Sequence, residues 1–91
     1  MTETKLLIGS LSSDLYRVAN LVGRNSYSSA NRFFQEAQKW SLQLSHTKVK
    51  KHIKKIISDI NSDTQGVNSV EKAEKLLMYG ILLQNYSLHL S

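Results

Sequence analysis

"VEKAEKLLMYGILLQNYSLHL", residues 70–90, decides the fold. Val70, Ala73, Leu77 and Ile81 recur at helical spacing, and so do Leu76, Tyr79, Leu83, Tyr86 and Leu90, at steps of 3, 4, 3 and 4. A strand would alternate instead. A helix that is apolar over two stripes must be covered on two sides. From Leu76 onward its one titratable base is His89, and the stretch carries no lysine or glutamate. Asn68 or Ser69 is placed to cap its start.

Working outward from that helix, "NSDTQGVNS" (61–69) is the longest polar stretch and reads as a loop. Before it, Val49, Ile53, Ile56 and Ile60 form another stripe, with Ile57 beside it. These β-branched residues are slightly poor helix formers. Their spacing still specifies a helix, capped by Ser45 or Thr47. Further back, Ala30, Phe33, Ala37, Trp40 and Leu44 are spaced 3, 4, 3 and 4, with Phe34 widening the stripe. Ser28 or Ser29 is expected to cap this helix, and Phe33 and Trp40 to form the centre of the core. The first stripe is Ile8, Leu11, Leu15, Val18 and Val22, with Thr2 or Thr4 as candidate cap and Gly23 suited to a left-handed residue past the end.

The sequence therefore predicts an all-α protein, a four-helix antiparallel bundle with helices near 4–22, 28–44, 47–61 and 69–90. Ninety-one residues make one domain, 1–91. A chain of that length buries a little over roughly 60 % of its unfolded surface, so its core is small. The absence of proline agrees with a helical chain. The absence of cysteine excludes disulfides, thiolate metal sites and a cysteine nucleophile. "MTETKLLIGSLSSDLYRV" lacks the basic and long apolar regions of a signal peptide, and the longest apolar run, "LLMYGILL", falls far short of the ~20 residues that span a bilayer. A soluble, cytoplasmic chain is the expectation.

The formal charge of +5 is uneven. "HTKVKKHIKKII", residues 46–57, holds five lysines: Lys48, Lys50, Lys51, Lys54 and Lys55. On a helical wheel they lie opposite the apolar stripe. They read either as a solvated face or as a footprint for an anion or a nucleic acid. A merely soluble helix mixes signs at i,i+4, and here only Asp59 can pair, with Lys55. The second helix, the "SHT" turn and the third helix could form a helix-turn-helix. The third helix, however, offers lysine where base readout favours arginine, asparagine and glutamine. Any nucleic-acid binding is therefore expected to have low sequence specificity.

Other motifs are absent. His46, His52 and His89 do not have metal-ligand spacing, the four glycines are isolated, and no serine lies in a nucleophile elbow. No catalytic residue, cofactor or metal is expected. The aromatic residues on the second helix read as core rather than as a stacking platform. The second stripe of the last helix, Leu76, Tyr79, Leu83, Tyr86 and Leu90, remains to be covered. It is either enclosed by its own bundle or forms a protein interface, to which tyrosines are suited. The sequence reading is a small non-enzymatic interaction module, a homodimer or a module docking on a protein partner through this stripe. The alternative is a basic nucleic-acid-binding protein using the third helix.

Overall fold

The computed structural model describes residues 3–90. Four α-helices follow one another: α1 (Glu3–Gly23), α2 (Tyr27–Leu44), α3 (Lys51–Asn61) and α4 (Val70–Leu88). α1 packs against both α2 and α4, and α3 packs against α2. Contacts pair the helices in antiparallel order. Asp14 meets Trp40, Ser12 meets Gly80, Ser41 meets Asn61, and Asp59 meets Tyr79. The α2–α3 bonds join the C-terminal half of α2 to the C-terminal end of α3 and the residues just after it. The candidate cap Thr2 lies outside the described residues.

α1 is the central helix. All five residues of its stripe are buried, as the spacing predicts, and Leu7, Ser12 and Asp14 are buried with them. α4 approaches it closely at Gly80. A Cβ there would lie 3.4 Å from the Leu15 Cβ, and the Ser12 hydroxyl donates to the Gly80 carbonyl at 2.8 Å. The chain then turns after α1 with Asn25, not Gly23, in the left-handed conformation (φ 61°). Asparagine tolerates that region better than most residues.

In α2 the buried stripe is Ala30, Phe34, Ala37, Ser41 and Leu44. This corrects the expected core: Phe34 is enclosed, whereas Phe33 and Trp40 sit half-buried on the flank. The reason is polar. Ser41 is fully buried with its hydroxyl between the Gln38 carbonyl and Asn61 Oδ1, and Asn61 Nδ2 donates back to the Ser41 carbonyl. Gln38 donates to the carbonyls of Ile60 and Asp63, which closes the C-terminal end of α3. A serine on the core face is thereby satisfied, and the burial cost of an unpaired hydroxyl is avoided.

α3 starts four residues later than its periodicity suggests. The Thr47 hydroxyl donates to the Leu44 carbonyl and Ser45 to the Leu42 carbonyl, so both finish α2 instead of capping α3. Lys50 occupies the cap position with extended backbone and no side-chain cap bond. Ser28 and Ser29 likewise lie inside α2, which begins at Tyr27. Ser69 does cap α4, accepting from the Lys72 amide at 3.1 Å.

The 62–69 loop is held from α2. Asn31 Oδ1 accepts from the Val67 amide at 2.8 Å, and its Nδ2 donates to the Val67 and Tyr27 carbonyls. Gly66 sits at φ +73°, where any Cβ would strike the Asn31 side chain. Asp63 accepts from the Gln65 and Gly66 amides and pairs with Lys72. Burial raises its pKa, but the bonds from Lys72 and those amides outweigh burial and hold the carboxyl below the ordinary aspartate value.

Candidate functional site

Two surfaces bear on the sequence reading, the outward face of α4 and the lysine ridge at the start of α3. On α4 the structure reverses the two stripes. Leu76 and Leu83 are buried, and Tyr79, Tyr86 and Leu90 pack against the core from its edge. The expected interface is therefore the internal face, and the correction has a physical cause. Gly80 and Ser87 lie on the same side as Leu76 and Leu83, and small residues there let α1 come close. The two tyrosines find partners on the α3 side. Tyr79 donates to Asp59 Oδ2 at 2.6 Å, and the Tyr86 hydroxyl accepts from the Lys50 amide at 3.3 Å, with His52 edge-on to its ring. Burial, followed by the Asp59 carboxylate beside it, pushes the Tyr79 hydroxyl up to about 12.

Of the other stripe, Val70, Ala73, Leu77 and Ile81, only Ala73 is buried. Leu77 is half-buried. Val70, Met78, Ile81, Leu82 and Leu88 are exposed, by between 42 and 68 %. The signal that identifies the outward face in the sequence is Gly80 with Ser87, which marks the close-packed side by their size.

All five ridge lysines are exposed. Lys48 and Lys50 lie in the extended segment ahead of α3, while Lys51, Lys54 and Lys55 lie on it. Asp59 forms no ion pair with Lys55, and its Oδ2 accepts from the Tyr79 hydroxyl. Among the described residues, the ion pairs are Arg17–Asp14 and Lys72–Asp63, and neither involves the ridge. A groove of about 350 Å³ adjoins the ridge, between Lys50, His52, Tyr86 and His89.

A third feature is Asp14, whose carboxyl lies buried beside a groove of about 510 Å³ between α1 and α2. It accepts from Trp40 Nε1 at 2.9 Å and from Arg17 Nη1 at 3.3 Å. Burial raises its pKa, with the charge of Glu36 adding to the shift. Both oxygens have partners, so the carboxyl acts as a clamp that ties Trp40 to α1. Among the described residues, no group of three histidine, aspartate or glutamate side chains could hold a metal ion. No described helix is long and apolar enough to cross a membrane. No protein-family model matches this chain, and no curated protein or solved structure matches it either.

Proposed function

We propose that this chain is a small non-enzymatic interaction module that associates with a second copy of itself through the outward face of α4. One observation carries the reading. The seam Val70, Glu74, Leu77, Ile81, Gln84, Leu88 runs along the exposed flank of α4, where Gln84 accepts from the Tyr16 hydroxyl of α1, and its steps of 4, 3, 4, 3 and 4 read the same in both directions about position 79. An antiparallel two-fold pairing sets Val70 against Leu88, Glu74 against Gln84, and Leu77 against Ile81. Each apolar position meets an apolar one and each polar position a polar one. Such self-complementarity is what an isologous interface requires. The pairing also opposes the two helix dipoles and brings the acidic start of α4 toward His89 of the other copy.

The seam spans about 27 Å at 1.5 Å per residue, and a helix is about 10–12 Å across, so each copy offers roughly 300 Å² in projection. The two copies together bury only about 600 Å², less than a stable specific interface, so the pairing is weak and transient rather than an obligate dimer.

Sedimentation velocity tests the reading. Wild-type protein is expected to shift from monomer toward dimer between about 1 and 100 μM, the range such a small interface implies. Ile81→Glu is expected to sediment as a monomer throughout with unchanged helical circular dichroism, because the side chain is already 44 % exposed. A wild-type monomer across the range, or a variant that dimerises like wild type, overturns self-association through this face. In the first case the strip is left to a foreign protein.

A further inference from the structure

We infer that the ridge Lys48, Lys50, Lys51, Lys54 and Lys55 binds the phosphate backbone of nucleic acid and does not read the bases. Five exposed ammonium groups crowd into eight residues, none of them in an ion pair. Like charges at this spacing repel one another, and on an ordinary solvated helix they are offset by acids at i,i+4. α3 has one acid, Asp59, and the fold withdraws it. Its carboxylate faces Tyr79 on α4, so Lys55 stays free for an outside anion. The first turn of α3 contains no acid and its start has no side-chain cap, so nothing within the helix neutralises the ridge.

The chemistry of the ridge separates nucleic acid from the other polyanions. Lysine is a point charge that binds phosphate without bidentate geometry. The ridge holds no arginine, asparagine or glutamine, the side chains that read base edges. An anionic bilayer is held best when apolar side chains on the same helix insert beside the charges. Ile53, Ile56, Ile57 and Ile60 are instead committed to the core. Protein interfaces exclude lysine from their centres and rely on aromatic or arginine anchors, which the ridge also lacks. The inference is independent of pairing through α4, since the seam and the ridge share no residue.

The experiment is a fluorescence-anisotropy titration of the full chain with two 20-base-pair DNA duplexes of unrelated sequence, at 50 to 200 mM salt. Both duplexes are expected to bind equally. Five phosphate contacts imply an affinity that falls about 500-fold across that range. Lys48→Gln/Lys51→Gln/Lys55→Gln leaves two contacts and a fall of about 12-fold, with circular dichroism unchanged because all three side chains are exposed. Any one of four results overturns the inference. These are no duplex binding at 50 mM salt, a salt dependence that the triple substitution leaves unchanged, a preference of tenfold or more for one sequence, or binding to phosphatidylserine vesicles without binding to either duplex.

Discussion

Leu83→Glu is expected to abolish the helical circular dichroism of this protein. Leu83 is 0 % exposed on the face of α4 that meets α1. Removing a buried leucine costs about 2–5 kcal/mol for the lost burial and the cavity. The carboxylate that replaces it has no cation in the core to meet, and its desolvation adds several kcal/mol more. A domain of this size has a total stability of about 5–15 kcal/mol, so the two effects together consume it. Far-ultraviolet circular dichroism at 25 °C is the measurement. A folded variant with the wild-type midpoint would show that α4 does not face inward along this stripe. Ile81→Glu, two residues earlier on the outward side, is the matched control, because it also introduces a carboxylate for an aliphatic side chain and Ile81 is already 44 % exposed.

Phe34→Ala comes next in size, with an expected loss of about 3–5 kcal/mol in urea unfolding. Phe34 is 2 % exposed and is among the largest fully buried side chains. Phe33→Ala, one residue away and half-buried on the flank, is expected to cost less than half as much, mainly through its contact with Arg17, whose guanidinium lies 5.4 Å from the ring centre. Equal costs for the two substitutions would mean that α2 is turned by one residue from its described orientation.

The neighbouring phenylalanines also show how far the sequence could be read. In α1 one apolar stripe keeps an unbroken 3, 4 spacing from Ile8 to Val22, and all five of its members are buried. In α2 two stripes share Ala30, Ala37 and Leu44 and differ only in Phe33 and Trp40 against Phe34 and Ser41. Apolarity favours the first pair. The fold takes the second because Asn61, twenty residues away, satisfies Ser41, and Asp14 satisfies the Trp40 ring nitrogen at the surface. Such long-range polar pairing leaves no local trace. α4 is ambiguous for a related reason: leucine and isoleucine occur all round it, so apolarity alone cannot select a face. The small residues Gly80 and Ser87 do select one, and side-chain size was the informative property there. The lysine ridge was legible as a charge cluster. That Asp59 would turn from Lys55 to Tyr79 depends on where α4 lies, which periodicity does not specify.

The antiparallel order of the α4 pair is open to a direct chemical measurement, because the chain contains no cysteine. Reduced single-cysteine chains Val70→Cys and Leu88→Cys can be oxidised each alone and, in parallel, as an equimolar mixture, at a total of about 100 μM so that a weak interface is populated. Both positions are exposed, so both thiols are accessible. In an antiparallel pair, position 70 of one copy lies beside position 88 of the other, and identical positions are separated by about 27 Å. The expected product is the mixed disulfide, Val70→Cys joined to Leu88→Cys, forming faster than either chain cross-links to itself. Rapid cross-linking of Val70→Cys with itself, or no enrichment of the mixed product, would contradict antiparallel self-association through the outward face of α4.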